Sequence, residues 1–301
     1  MGMPPWVKQV ALLPWAFGLV VLYTGVSAKH NLAAKGVAVV VNNRWTDRSQ
    51  PSSAASVVEE IRAAGGLAVV SLEAAEAPDA GAAMVALALE HFGRLDAVVA
   101  NAGIAAPTRF HRETPQAFRA LMDINFYGTL SLIEAAWPIL SASPAGRVIV
   151  SASSAGLHGG DGLASYGASK AALITLARSL AIEGRARNIL VNAIAPYAAT
   201  AMTGQDLSPE QKQRMSPDAV APLIVWLAGP DCDVTGQTLI AGGGHLAAAY
   251  AVEAAPVNLG TAPTVAGAVH AALADGTRQN FSDAVTAFSA FLAADPKPVL
   301  D

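Results

Sequence analysis

The stretch GLASYGASKAALITLARSLAIEGR, residues 162–185, has the composition of a long buried helix, yet it carries a phenol and an ammonium near its start. Tyr166 and Lys170 are four residues apart, so a helix places both side chains on one face. A nearby ammonium favours the phenolate over the neutral phenol. The pair therefore predicts a general acid/base that exchanges a proton with a carbonyl or a carbinol.

Short β-branched runs alternate with longer segments rich in Ala and Leu on both sides of this helix. This alternation is typical of βαβ units, in which helices cover both faces of a parallel sheet. We therefore predict an α/β fold with a Rossmann-like, doubly wound parallel sheet. The predicted strands are 37–42, 67–72, 95–103, 147–153, 189–196 and 236–244, and the predicted helices are 53–66, 78–93, 114–140, 163–185 and 216–229.

The pattern changes after about Ala247. The stretch AVEAAPVNLGTAPT, residues 251–264, resembles a linker, and weak helical patterns follow near 264–275 and 281–293. We predict that residues 1–246 form a single catalytic domain and that residues 247–301 form a C-terminal helical appendage.

Residues 10–28, VALLPWAFGLVVLYTGVSA, contain no charged side chain. Their length suits a membrane span, and the segment also has features of a signal peptide. However, the buried strands of a parallel sheet are equally apolar, and the predicted sheet needs a first strand here. We expect a buried strand and helix, with a membrane-associated protein as the alternative.

Composition excludes several classes of function. The net charge of −4 provides no basic footprint for nucleic acid. Cys232 is the only cysteine, which excludes an intramolecular disulfide and a cysteine metal cage. The histidines show no metal-ligand spacing. We expect a cytoplasmic protein with no metal site and no nucleic-acid partner.

A serine joins the phenol and the ammonium at one edge of the predicted sheet. Ligands of parallel α/β sheets bind at the carboxyl ends of the strands. A strand ends at Ser153, and the Gly-rich connection at 154–165 can fold back before the helix that holds Tyr166 and Lys170. Ser153 could then donate a hydrogen bond to a substrate oxygen as charge develops on it.

Several motifs with joint spacing resemble the short-chain dehydrogenase/reductase family. They are YGASK at 166–170 with Ser153 upstream, NAG at 101–103 after a strand, and Asn125 within LMDINFYG. The resemblance extends over about residues 37–246. It implies an NAD(P)-dependent oxidoreductase that interconverts a secondary alcohol and a ketone.

The resemblance also implies a role for each motif residue. Tyr166 would be the acid/base, Lys170 would hold the nicotinamide ribose, Ser153 would bind the substrate oxygen, and Asn125 would support a water in a proton relay. The residues implied in cofactor binding are Asn43, Arg44, Glu73, Asn101, Ala102, Gly103, Tyr166, Lys170, Pro196 and Thr200.

Three further stretches resemble one subgroup, the (3R)-hydroxyacyl-CoA dehydrogenase domain of multifunctional enzyme type 2 and its bacterial relatives. They are SLAIEGRARNILVNAIAP at 179–196, IAPYAATAMT at 194–203 and VAPLIVWLAGPDC at 220–232. The resemblance implies a 3-hydroxyacyl-CoA/3-oxoacyl-CoA pair as the candidate substrate. The helix at 171–182 is apolar on most faces, which indicates burial against a partner subunit in a homodimer or homotetramer.

The first βα turn departs from the family pattern Thr-Gly-x-x-x-Gly-x-Gly. After Thr24 and Gly25 the chain has no glycine until Gly36, so few backbone amides can approach a pyrophosphate closely. The first strand could be 18–23, which makes a short βαβ unit, or 10–13, which fits the usual length of about 30 residues. Because the loop lacks these glycines, the alternative function is a non-redox homologue that acts as a binding partner.

The choice between NAD and NADP depends on the residues that follow the second strand. An acidic side chain there commonly holds the ribose diol of NAD. This chain has Asn43, which can still hydrogen-bond a diol, and then Arg44. Arg44 could pair with a 2′-phosphate or remain a solvated charge, which gives a slight preference for NADP.

Overall fold

The computed structural model describes residues 18–22, 28–44, 49, 52–199, 207–260 and 263–294. The chain divides into two compact units, Met1–Ala248 and Ala249–Asp301. The assignment of residues 1–246 to a catalytic domain and of 247–301 to an appendage stays a prediction.

An eight-stranded sheet forms the centre of the first unit, and its strands follow the spatial order β3-β2-β1-β4-β5-β6-β7-β8. The pairs from β3 through β7 are parallel. This confirms the predicted α/β class and the doubly wound sheet. The strands are β1 Gly18–Leu22, β2 Ala38–Asn42, β3 Ala68–Ser71, β4 Ala97–Ala100, β5 Gly146–Ser151, β6 Ile189–Pro196, β7 Thr238–Gly242 and β8 His245–Ala249.

Helices follow most strands. They are α1 Ala28–Ala34, α2 Ser53–Ala63, α3 Ala80–Phe92, α4 Pro115–Met122, α5 Gly128–Ala142, α6 Ser154–His158, α7 Ala164–Gly184, α8 Pro209–Arg214, α9 Ala221–Ala228, α10 Val265–Ala274 and α11 Ala284–Ala293. The sheet packs against α3, α5 and α7 on one face and against α1, α2 and α9 on the other. Val40 faces the first layer, and Val39 and Val41 face the second, all fully buried. Burial on both faces explains why the strands read as continuous apolar runs.

The structure selects one of the two possible positions for the first strand. Gly18 lies opposite Ala38 of β2, and Leu19 lies opposite Ala97 of β4, so residues 18–22 occupy the centre of the sheet. The alternative strand at residues 10–13 lies outside the described residues. The unit from β1 to β2 is short because α1 contains only seven residues.

The predicted helix at 114–140 is interrupted by a π-helical segment, Asp123–Tyr127, between α4 and α5. The short helices α6 and α8 were not predicted, because five or six residues do not establish a helical period. The predicted strand at 236–244 ends earlier, at Gly242. Gly243 and Gly244 then form a turn with φ of 58° and 80°, which leads into β8.

In the second unit, α10 and α11 correspond to the helical patterns predicted near 264–275 and 281–293. Glu253 and Gln279 form an antiparallel bridge. None of the helices in the described ranges is long and apolar enough to cross a membrane. Most of the apolar segment 10–28 lies outside those ranges, apart from β1 and Ala28.

The contact between α3 and α5 depends on Gly81, and we predict that Gly81→Ala destabilises the protein. A Cβ at Gly81 would lie 2.5 Å from the Ser131 carbonyl oxygen and 2.7 Å from the Leu132 nitrogen. Helix propensity alone would make Gly81→Ala stabilising by about 1 kcal/mol. A loss of stability would therefore show that the close contact with α5 outweighs helix propensity. We expect the free energy of unfolding in urea to fall by about 1–3 kcal/mol.

Gly276→Ala is the control, because a Cβ at Gly276 would meet no atom within 4 Å. We expect this variant to stay within about 0.5 kcal/mol of the wild type. A Gly81→Ala protein as stable as the wild type would contradict the close approach of the two helices.

Candidate active site

Lys170 lies in the second turn of α7 and is almost completely buried, with 4% of its surface exposed. Its Nζ donates a hydrogen bond of 2.6 Å to the Ser151 carbonyl oxygen at the end of β5. Burial lowers the pKa of Lys170 from 10.5 to about 8. The ammonium is therefore held at the carboxyl edge of the sheet and remains largely charged at neutral pH.

Tyr166 lies one helical turn before Lys170 and is half-buried. The Lys170 Nζ is 5.9 Å from the centroid of the Tyr166 ring. The structure thus brings together the phenol and the ammonium that the sequence places on one helical face.

Ser153 follows β5 and begins α6 as its N-cap residue. Its Oγ accepts a hydrogen bond of 3.2 Å from the Ala155 N–H, which satisfies one of the free donors of the first helical turn. The hydroxyl proton is not used in this contact. Ser153 can therefore donate a hydrogen bond to a ligand while remaining fixed as the cap.

Two glycines allow α6 to pack directly on the first turns of α7. A Cβ at Gly156 would lie 2.7 Å from the Ala171 nitrogen, and a Cβ at Gly167 would lie 3.0 Å from the Ala155 carbonyl oxygen. This contact places the helix capped by Ser153 against the turns that carry Tyr166 and Lys170. In the sequence these glycines belong to the Gly-rich connection at 154–165 and to YGASK at 166–170.

Asn125 lies in the π-helical segment and is fully buried. Its side chain clamps the backbone of Ile104: Oδ1 accepts from the Ile104 N–H at 2.8 Å, and Nδ2 donates to the Ile104 carbonyl at 3.0 Å. Nδ2 also lies 3.2 Å from Ser169 Oγ, one residue before Lys170. The sequence predicted Asn125 as a site residue, but the contacts with Ile104 and Ser169 were missed.

The Asn125 clamp fixes the loop that carries Asn101, Ala102 and Gly103 after β4. A Cβ at Gly103 would lie 3.2 Å from Asn125 Oδ1 and 3.3 Å from Lys170 Nζ. The loop backbone therefore passes directly beside the buried ammonium, and glycine leaves the space that this approach requires. These predicted residues lie together with Lys170.

The far part of the same sheet edge is formed by the ends of β2 and β3. The buried Asn42 side chain donates to Ser71 Oγ and to the Glu73 carbonyl oxygen, each at 3.0 Å. Asn43 Nδ2 donates to Ser53 Oγ at 2.6 Å, which leaves Asn43 Oδ1 as a possible acceptor for a ribose hydroxyl. Asn42 was not predicted, because nothing in the sequence distinguishes it from its neighbour.

Arg44 forms an ion pair with Glu76, with 2.6 Å between Nη1 and Oε1. Glu76 lies in the connection between β3 and α3, and no pattern in the sequence indicated this contact. Pro196, the last residue of β6, is half-buried and pairs with Ala241. Thr200 lies outside the described residues, as do Thr24 and Gly25 of the first βα turn.

The described part of this edge fits a nicotinamide dinucleotide. The Lys170 ammonium has three donors, of which Ser151 uses one, so two can reach ribose hydroxyls. The Gly103 backbone, which approaches Lys170 closely, and the Asn43 acceptor lie along the same edge. No group of three or more His, Cys, Asp or Glu side chains that could hold a metal ion occurs in the part of the chain that the structure describes.

The chain is similar to known proteins over most of its length. The short chain dehydrogenase family profile matches residues 20–212. A short-chain type dehydrogenase/reductase of Mycobacterium tuberculosis is 36% identical over 219 residues, which cover 71% of this chain and 77% of that protein. The crystal structure of a short chain dehydrogenase from Mycobacterium avium has a TM-score of 0.75 at 33% identity and covers 87% of this chain and 96% of that chain.

The peroxisomal multifunctional enzyme type 2 of Mus musculus is 35% identical over 239 residues, which cover 76% of this chain. The matched region spans only 32% of that enzyme. This similarity confirms the resemblance to the multifunctional-enzyme subgroup.

Burial of Lys170 leads to a prediction about stability. The pKa of Lys170 falls from 10.5 to about 8 on folding, so below pH 8 folding must bury a charge. The depressed pKa corresponds to roughly 3 kcal/mol, and Lys170→Met forfeits about 1 kcal/mol of this gain because the Ser151 carbonyl loses its donor. We expect Lys170→Met to raise the free energy of unfolding at pH 7 by about 2 kcal/mol.

The advantage of Lys170→Met should shrink between pH 8 and pH 10.5, because the wild type gains stability as folding no longer requires a charged amine. Urea unfolding of the ligand-free protein at pH 7 and at pH 9.5 measures both values. Lys35→Met, at an exposed lysine, is the control and should show no such pH dependence. An advantage that is absent at pH 7, or constant with pH, would contradict the buried charge.

Proposed function

The chain belongs to the short-chain dehydrogenase family, and we propose that it acts as an NAD(P)-dependent oxidoreductase that interconverts a secondary alcohol and a ketone. The observation that supports this most strongly is the arrangement around the buried Lys170. A phenol lies beside an ammonium at the carboxyl edge of a parallel sheet, next to a loop held by Asn125. Ser153 caps the short helix that packs against them.

Tyr166 is the proton-transfer group of the proposed reaction. A bound nicotinamide supplies or accepts the hydride. In alcohol oxidation the Tyr166 oxygen takes the proton of the carbinol, and in ketone reduction the Tyr166 hydroxyl returns a proton to the developing alkoxide. The Lys170 ammonium lies 5.9 Å from the centroid of the Tyr166 ring, which keeps a positive charge beside the proton-transfer group.

Ser153 orients the reacting oxygen. Its hydroxyl donates a hydrogen bond to the carbonyl or carbinol oxygen, and this bond strengthens as negative charge develops there. Because the Ser153 Oγ also caps α6, its position is fixed before substrate arrives. Such preorganisation reduces the reorganisation needed during the reaction.

Asn125 acts as a positioning residue. Both ends of its amide contact protein groups, so its side chain holds the loop at Gly103 and Ile104 beside Lys170. We propose that Asn125 also supports a water in a proton relay. Because protein groups engage both ends of its side-chain amide, the water would bind the Asn125 backbone carbonyl. This carbonyl accepts from Thr129 Oγ1 at 3.2 Å and has a second lone pair.

We propose a 3-hydroxyacyl-CoA/3-oxoacyl-CoA pair with R stereochemistry as the substrate class. The similarity to multifunctional enzyme type 2 supports this class, and so does the loop after Ile104. Thr108 N–H donates to the Gly162 carbonyl at 2.8 Å, which anchors this loop close to the start of α7. Phe110 on the loop is 74% exposed, and the exposed Arg109 and Arg112 flank it. Arg109 makes only a long, exposed contact of 3.5 Å with Asp161, which a phosphate can replace. An apolar ring between two guanidinium groups suits an acyl chain joined to a phosphate-bearing carrier.

We propose a cytoplasmic location for the enzyme. We also propose a homodimer or homotetramer, because α7 is apolar on most of its faces. The second candidate function is a non-redox homologue that acts as a binding partner. The observation that favours it is the absence of glycine between Gly25 and Gly36, which leaves few backbone amides for a pyrophosphate.

We predict that Tyr166→Phe lowers turnover by at least ~10²-fold, because the variant lacks the group that transfers the proton. Its affinity for NADH and NADPH, measured by calorimetry, should change little. Tyr127→Phe, at an exposed tyrosine, is the matched control and should keep full turnover. Near-normal turnover of Tyr166→Phe would refute the assignment. A folded wild type that binds neither nucleotide would favour the non-redox function.

We predict that 3-oxoacyl-CoA esters are reduced with a higher kcat/KM than steroids or simple ketones. In the double variant Arg109→Gln/Arg112→Gln, kcat/KM for 3-oxoacyl-CoA should fall by about tenfold through loss of phosphate contacts. The same acyl group on N-acetylcysteamine, which carries no phosphate, should be reduced equally well by both proteins.

Arg185→Gln/Arg187→Gln is the control for this substrate test. It removes two exposed arginines at the other end of α7, about 30 Å from the start of that helix. Turnover of steroids or sugars alone would contradict the acyl-CoA class and leave the alcohol/ketone chemistry in place.

A further inference from the structure

The ion pair between Arg44 and Glu76 lies where the adenosine ribose of a dinucleotide is expected. Arg44 is the second residue after β2, and Glu76 is in the turn between β3 and α3. The side chains are 41% and 27% exposed, so both groups are accessible to a ligand. The Arg44 guanidinium is the group that the sequence offers for a 2′-phosphate.

The backbone beneath the ion pair is tied together. Asn43 N–H donates to the Ser71 carbonyl at 3.2 Å, and the buried Asn42 side chain donates to Ser71 Oγ and to the Glu73 carbonyl, each at 3.0 Å. These bonds join the end of β2 to the turn that carries Glu76. The spacing between Arg44 and Glu76 is therefore set by the strand ends as well as by the ion pair.

The turn that carries Glu76 is also packed against the core. Ala75 is buried, and its carbonyl oxygen would lie 2.7 Å from a Cβ at Gly128, the first residue of α5. Ala77 N–H donates to the Ala74 carbonyl at 2.9 Å. Packing and the turn thus hold the backbone at Glu76 in place, and its carboxylate pairs with Arg44 in the ligand-free protein.

Charge at this point distinguishes the two cofactors. NADP(H) brings a phosphate with a charge close to −2 to the ribose, whereas NAD(H) brings a neutral hydroxyl. The Glu76 carboxylate neutralises Arg44, and the exposed Glu73 adds a further negative charge on the same turn. A 2′-phosphate would then compete with Glu76 for the guanidinium and would be repelled by both carboxylates.

We propose that Glu76 is a cofactor-selecting residue, which holds Arg44 away from a 2′-phosphate and so gives the protein a preference for NAD(H). This inference rests on the proposed function, because it assumes a dinucleotide at this edge. It reverses the preference that Arg44 alone predicts. Glu76 acts on the cofactor through Arg44 and takes no part in proton transfer.

The test measures dissociation constants of NADH and NADPH by calorimetry on the ligand-free protein. The wild type should bind NADH more tightly than NADPH. Glu76→Gln, which removes the charge and keeps the shape, should tighten NADPH binding by about tenfold and leave NADH binding within about twofold. The gain for NADPH should decrease at high salt, because both groups are exposed.

Two further variants separate the mechanism from a general change in charge. In the Arg44→Ala background, Glu76→Gln should improve NADPH binding by much less than tenfold, since the released guanidinium is absent. Asp79→Asn is the control: Asp79 is exposed three residues further along and makes no side-chain cap bond to α3. It should leave the ratio of the two dissociation constants within about twofold of the wild type.

The outcomes distinguish this inference from the proposed function. An unchanged ratio of the NADPH and NADH dissociation constants in Glu76→Gln, or a wild type that prefers NADPH, overturns the role of Glu76. In either case the proposed oxidoreductase function still stands if the protein binds NADH and shows turnover. An equal gain in Asp79→Asn also overturns it, because the effect would then be unspecific. Failure of every variant to bind either nucleotide overturns the proposed function, and this inference with it.

Discussion

The burial of one ammonium is the constraint on which the rest of the site depends. A buried charge is costly unless hydrogen bonds satisfy it, and the Ser151 carbonyl accepts from Lys170 at 2.6 Å. Because Ser151 ends β5, the edge of the sheet determines where the ammonium lies, and the ammonium determines where the first turns of α7 must pack. Its lowered pKa, about 8, shows that the cation is kept at neutral pH at a cost to folding stability.

Close backbone contacts bring the remaining groups to that ammonium. Gly156 and Gly167 let α6 approach α7, so the Ser153 cap is set by main-chain packing. Gly103 passes beside Lys170. The Asn125 amide holds the next residue, Ile104, through one donor and one acceptor, which is the pairing that a neighbouring β-strand would make. The scaffold thus fixes Tyr166, Lys170 and Ser153 before a ligand binds, and the proposed chemistry would benefit from this preorganisation.

The sequence predicted the fold class, most strands and the grouping of Tyr166, Lys170 and Ser153, because these follow from local periodicity and from residues close in the chain. It left the first strand open between 18–23 and 10–13, since the short α1 makes an unusual βαβ unit. It missed the contact between Arg44 and Glu76, which are 32 residues apart. Such a pair meets only because β2 and β3 are neighbours in the sheet, and no local pattern encodes that contact.

The π-helical segment Asp123–Tyr127 has a consequence for how this stretch of chain can vary in length. A π segment is equivalent to one extra residue inserted into an α-helix. Deleting one residue would let α4 and α5 join as a regular helix, but every side chain on one side of the deletion would rotate by about 100° around the axis. Asn125 would then point away from Ile104, so insertions and deletions are excluded here even where the individual side chains could be exchanged.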